Sequence, residues 1–105
     1  MAQLMKNRLG LHELLCDALG AQNVYFQPPE GQKMKYPAIV YSRDDIESDH
    51  ANNTPYRRSP SYQVTVIDSD PDSEIVDRVS NLPMCSFERH FTSDNLNHDV
   101  FIIYY

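Results

Sequence analysis

The chain has 105 residues, a length that supports one domain with a two-layer core and not two domains. Hydrophobic residues make up 41% and charged residues 23%, which excludes wholesale disorder and predicts a globular fold. A net charge of −6 argues against a partner gripped through phosphates, and no stretch reaches the ~20 apolar residues of a membrane helix.

Residues 3–19 read as a helix. Leu4, Leu11, Leu15 and Ala18 fall near one face, Leu14 and Leu19 widen it, and Glu13 and Asp17 take the other side. Gly20 follows as the residue that ends it in a left-handed conformation. His12 stands alone on this helix and reads as a surface or boundary residue. Residues 23–27 form a short strand stopped by Pro28-Pro29, and 30–35 is a polar loop. Residues 37–42, with Ala-Ile-Val-Tyr at their centre, form a second strand apolar enough to be covered on both faces.

The next stretch, 43–60, is polar throughout, with Ile46 and Tyr56 as its large apolar residues. Connections this long in a compact domain are uncommon, and they are functional or disordered more often than not. The expected form is an arm: two strands continue past the core and hold a mobile tip between them. Arg57 and Arg58 are opposed by Asp44, Asp45, Glu47 and Asp49. These charges, with Ile46 and Tyr56, are the expected contacts to a neighbouring subunit or partner.

Tyr62, Val64 and Val66 alternate with Gln63, Thr65 and Ile67, the period of a pleated strand. The pattern stops at Asp68-Ser69-Asp70-Pro71. Asp70 is the expected N-cap of a second helix, with Pro71 at the first helical position. Ile75, Val79 and Leu82 recur at helical spacing, Asp77 and Arg78 face away, and Pro83 stops the helix. The acidic run copies the opening of a calcium loop but fails at its sixth position, Ser73, and at its twelfth, Val79. Residues 84–92 alternate as a strand, Ser93-Asp94-Asn95 is a turn, and 100–105 is the last strand.

The predicted order is helix, strand, strand, strand, helix, strand, strand. This is an α+β two-layer sandwich with a mainly antiparallel sheet and both helices on one face. The expected core is Leu11, Leu15, Ile39, Tyr41, Val64, Val66, Ile75, Val79, Phe87 and Ile102. Cys16 and Cys85 lie far apart in the chain and read as free buried thiols. The absence of a charged-then-apolar start predicts a chain made and kept in a cytosol.

Catalytic chemistry has no constellation to rest on. The four histidines are scattered, no His-x-x-x-His or Glu-x-x-His pair offers a metal site, and three glycines cannot build a phosphate cradle. His98-Asp99 is the best catalytic-looking pair, but adjacent strand residues point to opposite faces. Arg57-Arg58 is too small a basic spot for nucleic-acid binding. The expectation is therefore no reaction, no cofactor and no metal.

The residues carry a family resemblance. Leu11-His12-Glu13-Leu14-Leu15, Val24-Tyr25-Phe26-Gln27-Pro28-Pro29 and Met34 to Tyr41 resemble the small tail-completion proteins of long-tailed phages and prophages. So do Tyr62 to Asp68 with Asp70-Pro71-Asp72-Ser73, and Asp94 to Phe101. The resemblance covers nearly the whole chain. Within that group the helix-first order is similar to the tail terminator, or tail-to-head joining protein. The resemblance implies a hexameric ring in the virion, with the tail tube protein and the head connector as partners and DNA only as passing cargo. It implies no membrane. The alternatives are a head-closure or connector ring protein and, outside phages, a small cytosolic adaptor binding a peptide at its sheet edge.

Overall fold

The computed structural model describes residues 8–48 and 58–105, with the backbone alone for residues 45–48 and 58–59. The elements are α1 (Arg8–Leu19), β1 (Val24–Phe26), β2 (Ala38–Ser48), β3 (Arg58–Asp68), α2 (Glu74–Ser80), β4 (Cys85–Ser93) and β5 (Leu96–Tyr104). The fold is α+β in the expected order. Its five strands form one sheet in the order β1-β2-β3-β5-β4. β1 runs parallel to β2, and the other three pairings are antiparallel.

Register explains which residues are buried. Ile39 lies opposite Val66 and Tyr41 opposite Val64, and Val64 in turn lies opposite Phe101. These rows face the helices. Leu11 and Leu15 of α1 and Ile75 and Val79 of α2 close on them as one core cluster. The spacing of the α1 residues at i and i+4 puts both on one face of the helix, as the apolar stripe requires. Gly20 ends α1 at φ +80°, and its amide donates to the Cys16 carbonyl at 2.8 Å. Arg78, expected to face solvent, instead donates through Nε to the Ala18 carbonyl at 2.6 Å. A cation thus meets the unpaired carbonyls at the end of α1 and ties the two helices together.

Two core expectations are corrected. Phe87 is 56% exposed, and Ile102 is partly exposed while Phe101 and Ile103 on either side of it are buried. Phe87 does sit on the helix side, edge-on to Phe101 at 5.6 Å. It lies on the edge strand, where the helices no longer cover the sheet. Ile102 faces the other way, because Phe101 and Ile103 take the inward positions of β5. Cys16 and Cys85 are free as expected, but half-buried rather than buried.

Candidate assembly surface

The arm is a continuation of the sheet's longest ladder. β2 and β3 keep antiparallel pairing from Ala38↔Ile67 out to Ser48↔Arg58. β1 accompanies β2 only as far as Phe26↔Tyr41 and β5 accompanies β3 as far as Ser61↔Tyr104, so the ribbon has a strand partner on neither outer side from Ile46↔Pro60 onward among the described residues. A bulge at Asp44, between Arg43 and Asp45, adds a residue to β2 where the ribbon leaves the body. Bulges of this kind bend and twist a strand pair locally. Asp44 is exposed there.

The predicted contact residues are partly placed. Asp45 pairs with Ser61, Ile46 with Pro60, Glu47 with Ser59 and Ser48 with Arg58. Their backbone positions confirm the two extended strands. Tyr56, Arg57 and the tip, 49–57, lie outside the described residues.

The root of the arm is anchored by groups the sequence did not single out. Gln27 sits at φ 45° and its side-chain oxygen accepts from the Arg43 amide at 3.2 Å. That replaces the strand partner β2 loses where β1 ends. On the β3 side, the Tyr105 amide donates to the Pro60 carbonyl at 3.1 Å. Gly10 lets the Tyr105 ring seat against α1, since a Cβ there would collide with the Tyr105 hydroxyl.

Beneath the root lies a buried polar knot. Tyr41 is fully buried on β2. Arg8 Nη1 donates to its hydroxyl at 3.1 Å, and His12 Nδ1 lies 2.8 Å from the same oxygen. Arg8 also stacks over the Phe26 ring at 4.1 Å, and Phe26 packs on Tyr41 at 4.9 Å. Burial pushes the Tyr41 hydroxyl above its ordinary range, and the Arg8 hydrogen bond offsets part of that rise. His12 is half-buried, at the boundary as expected, and from there it partners a buried hydroxyl. A signal existed in the spacing: Arg8 and His12 are one turn apart on α1.

The Asp70 cap is a correction. α2 starts at Glu74 and its N-cap is Ser73, whose Oγ accepts from the Ile75 amide at 3.2 Å. Asp68 accepts from the Asp70 amide at 3.0 Å, and Asp70 from the Asp72 amide at 2.9 Å. Both carboxylates are used in consecutive Asx turns that precede the helix. Pro71 lies in that turn and not in α2. Asn97 fastens the turn to the sheet, donating to the carbonyls of Asp68 and Ser69 at 3.3 and 3.4 Å.

The remaining candidates form no reaction centre among the described residues. His98 stacks on Phe91 at 4.6 Å and donates through Nδ1 to the Leu96 carbonyl at 3.2 Å. Asp99 pairs across to His90 and Val66, on the opposite face from His98. No group of three or more metal-ligating side chains comes together among the described residues. A cleft of about 110 Å³ between α1 and the end of β5 is walled mainly by Leu11, Leu14, Leu82, Met84 and Ile103. It has no converging reactive group. No protein-family model matches the chain, and no curated protein or solved structure matches it.

Proposed function

We propose that this chain is a structural subunit of the tail–head junction of a long-tailed phage, a ring-forming protein similar to a tail terminator. The residues that resemble tail-completion proteins support this reading, and the observation that carries it is the arm. A ribbon paired out to Ser48↔Arg58, rooted by Gln27, Pro60 and the Tyr41 knot, is a rigid base for a contact made away from the body. The radius of gyration, 14.9 Å, exceeds the ~13 Å of a compact chain this size, as a projecting element requires. A ring is built from one heterologous contact repeated until it closes, and an arm that reaches a neighbour supplies such a contact. An acidic subunit suits a passage for DNA, because it repels phosphate. In this reading the protein carries out no reaction and holds no cofactor.

Replacing residues 46–57 with a short Gly-Ser linker tests the reading. The core is untouched, so the circular dichroism spectrum and melting should stay near native. Ring formation, or attachment to tail tubes, should be lost. Normal rings and normal joining of heads to tails by this variant contradict the reading.

A second reading is favoured by β4. It is the outermost strand of the sheet and is exposed along almost its whole length. Such an edge accepts an added strand from a peptide. A small adaptor of this kind stays monomeric and binds extended peptides, with His90→Pro abolishing the binding.

A further inference from the structure

β4 is hydrogen-bonded along one side. Its partner β5 lies there, and no strand lies on the other side among the described residues. The Tyr104 amide donates to the Met84 carbonyl at 3.1 Å, which sets the alternation of the ladder. Ser86, opposite Ile102, then turns its backbone to β5, while Cys85 and Phe87 turn theirs outward. A bulge at Glu88 resets the phase, and beyond it His90 and Thr92 are the outward residues. Edge strands are commonly guarded by Lys, Pro or a bulge. β4 has the bulge and neither of the others.

The helix side of this edge changes character along its length. Its start is apolar. Met84 and Phe87 are 68% and 56% exposed, and Cys85 packs against the core cluster. Met84 also walls the cleft beside α1 with Leu14 and Leu82. Its end is acidic. Asn97, paired with Thr92, holds the 68–72 turn there through the Asp68 and Ser69 carbonyls. That turn carries Asp68, Asp70 and Asp72. The ion pairs among the described residues are Arg78–Glu74 and Arg89–Glu88, so none of these three carboxylates has a cation beside it. An added strand supplies the donors and acceptors that β4 leaves open. Its helix-side residues fall next to Cys85, Phe87, His90 and Thr92. Aliphatic side chains suit the first two positions, and a cation suits the last, within reach of the acidic turn. A second copy brings a net charge of −6 of its own and is a poor match for this edge.

We infer that the free edge of β4 takes an extended segment of a different protein as an added strand, apolar beside Phe87 and basic beside the 68–72 turn. The inference rests on the reading of β4 as a peptide-accepting edge and gives that peptide its chemistry. The probe is a short threonine-spaced peptide with valines at alternate positions of one end and lysines at alternate positions of the other, made in both sequence orders. Fluorescence anisotropy with the full chain reads the binding. One order should bind at least about tenfold tighter than the same peptide with glutamates in place of lysines. Methylating the backbone nitrogens of its valines and lysines removes the donors that face β4 and keeps the charges, and it should abolish binding. Asp70→Asn with Asp72→Asn keeps the side-chain acceptors of the turn and should erase most of the preference for lysine. Equal binding of the lysine and glutamate peptides, abolished by methylation, overturns this inference and leaves the edge reading standing. Binding that survives methylation, or no binding by any of these peptides, overturns both. Self-association of the chain that is lost in His90→Pro gives the edge to a second copy and also overturns the inference.

Discussion

At the scale of single residues, the energetics follow from which side chains reach full burial. Leu15 is fully enclosed between helix and sheet. Truncating it to Ala should cost ~2–5 kcal/mol, the range for buried large-to-small changes. Phe87→Ala, at an edge position more than half exposed, should cost well under that, because little of the ring leaves water on folding. Chemical denaturation of the two variants checks the pair, and equal losses contradict the assignment of Phe87 to the rim. Cys85 gives a pH test. Burial pushes its thiol from 9.0 up to about 11. The folded state therefore holds its proton after the unfolded chain has released it. That contribution to stability is complete below pH ~9 and is lost as pH rises through the folded value. Melting temperature should fall between those limits, and Cys85→Ser should remove part of the fall. Alkylation of Cys85 by iodoacetamide should likewise keep accelerating toward pH 11.

At the scale of elements, the helix start is the clearest test. Ser73→Ala removes the side-chain acceptor for the Ile75 amide and should cost ~1 kcal/mol. Asp70→Ala removes only a bond inside an exposed turn and should cost less, with no response to calcium in either variant. Thermal melts of the two side by side decide it, and a larger loss at Asp70 restores it as the cap. The helices were legible from their i, i+4 apolar spacing, β3 and β4 from period-two alternation, and β2 and β5 as short apolar runs. The cap was not, because Asp68, Asp70, Asp72 and Ser73 all suit the role within six residues. Only the turn geometry shows which of them are already used. The facing of β5 was hidden for a different reason. Val100, Phe101, Ile102 and Ile103 are apolar without alternation, so the pattern has no phase. A bulge between Phe87 and Arg89 also shifts β4 by one residue, which sends Phe87 inward and Phe91 outward despite their even spacing. The extension of β2 and β3 beyond the core was legible because a polar run sat between two strand patterns, while its anchors at Gln27 and Tyr105 depend on contacts distant in sequence.

At the scale of the whole molecule, the feature that motivates the ring proposal is the extension of β2 and β3. The paired ribbon continues past the ends of β1 and β5 to Ser48↔Arg58. Under the ring proposal, this extension supplies the heterologous contact that a closed ring repeats. The Tyr41 knot sits where body meets arm and holds β2 in place, so Tyr41→Phe should loosen the arm's root through Arg8 and His12 more than it affects the distant α2. The central claim is that the subunit works as one member of a ring. The most direct test is the mass of the purified protein, alone and after incubation with tail tubes, by multi-angle light scattering and electron microscopy. The account predicts one closed oligomer of fixed stoichiometry, either free in solution or on the end of the tube. A chain that remains monomeric under both conditions, with tube ends bare, contradicts it.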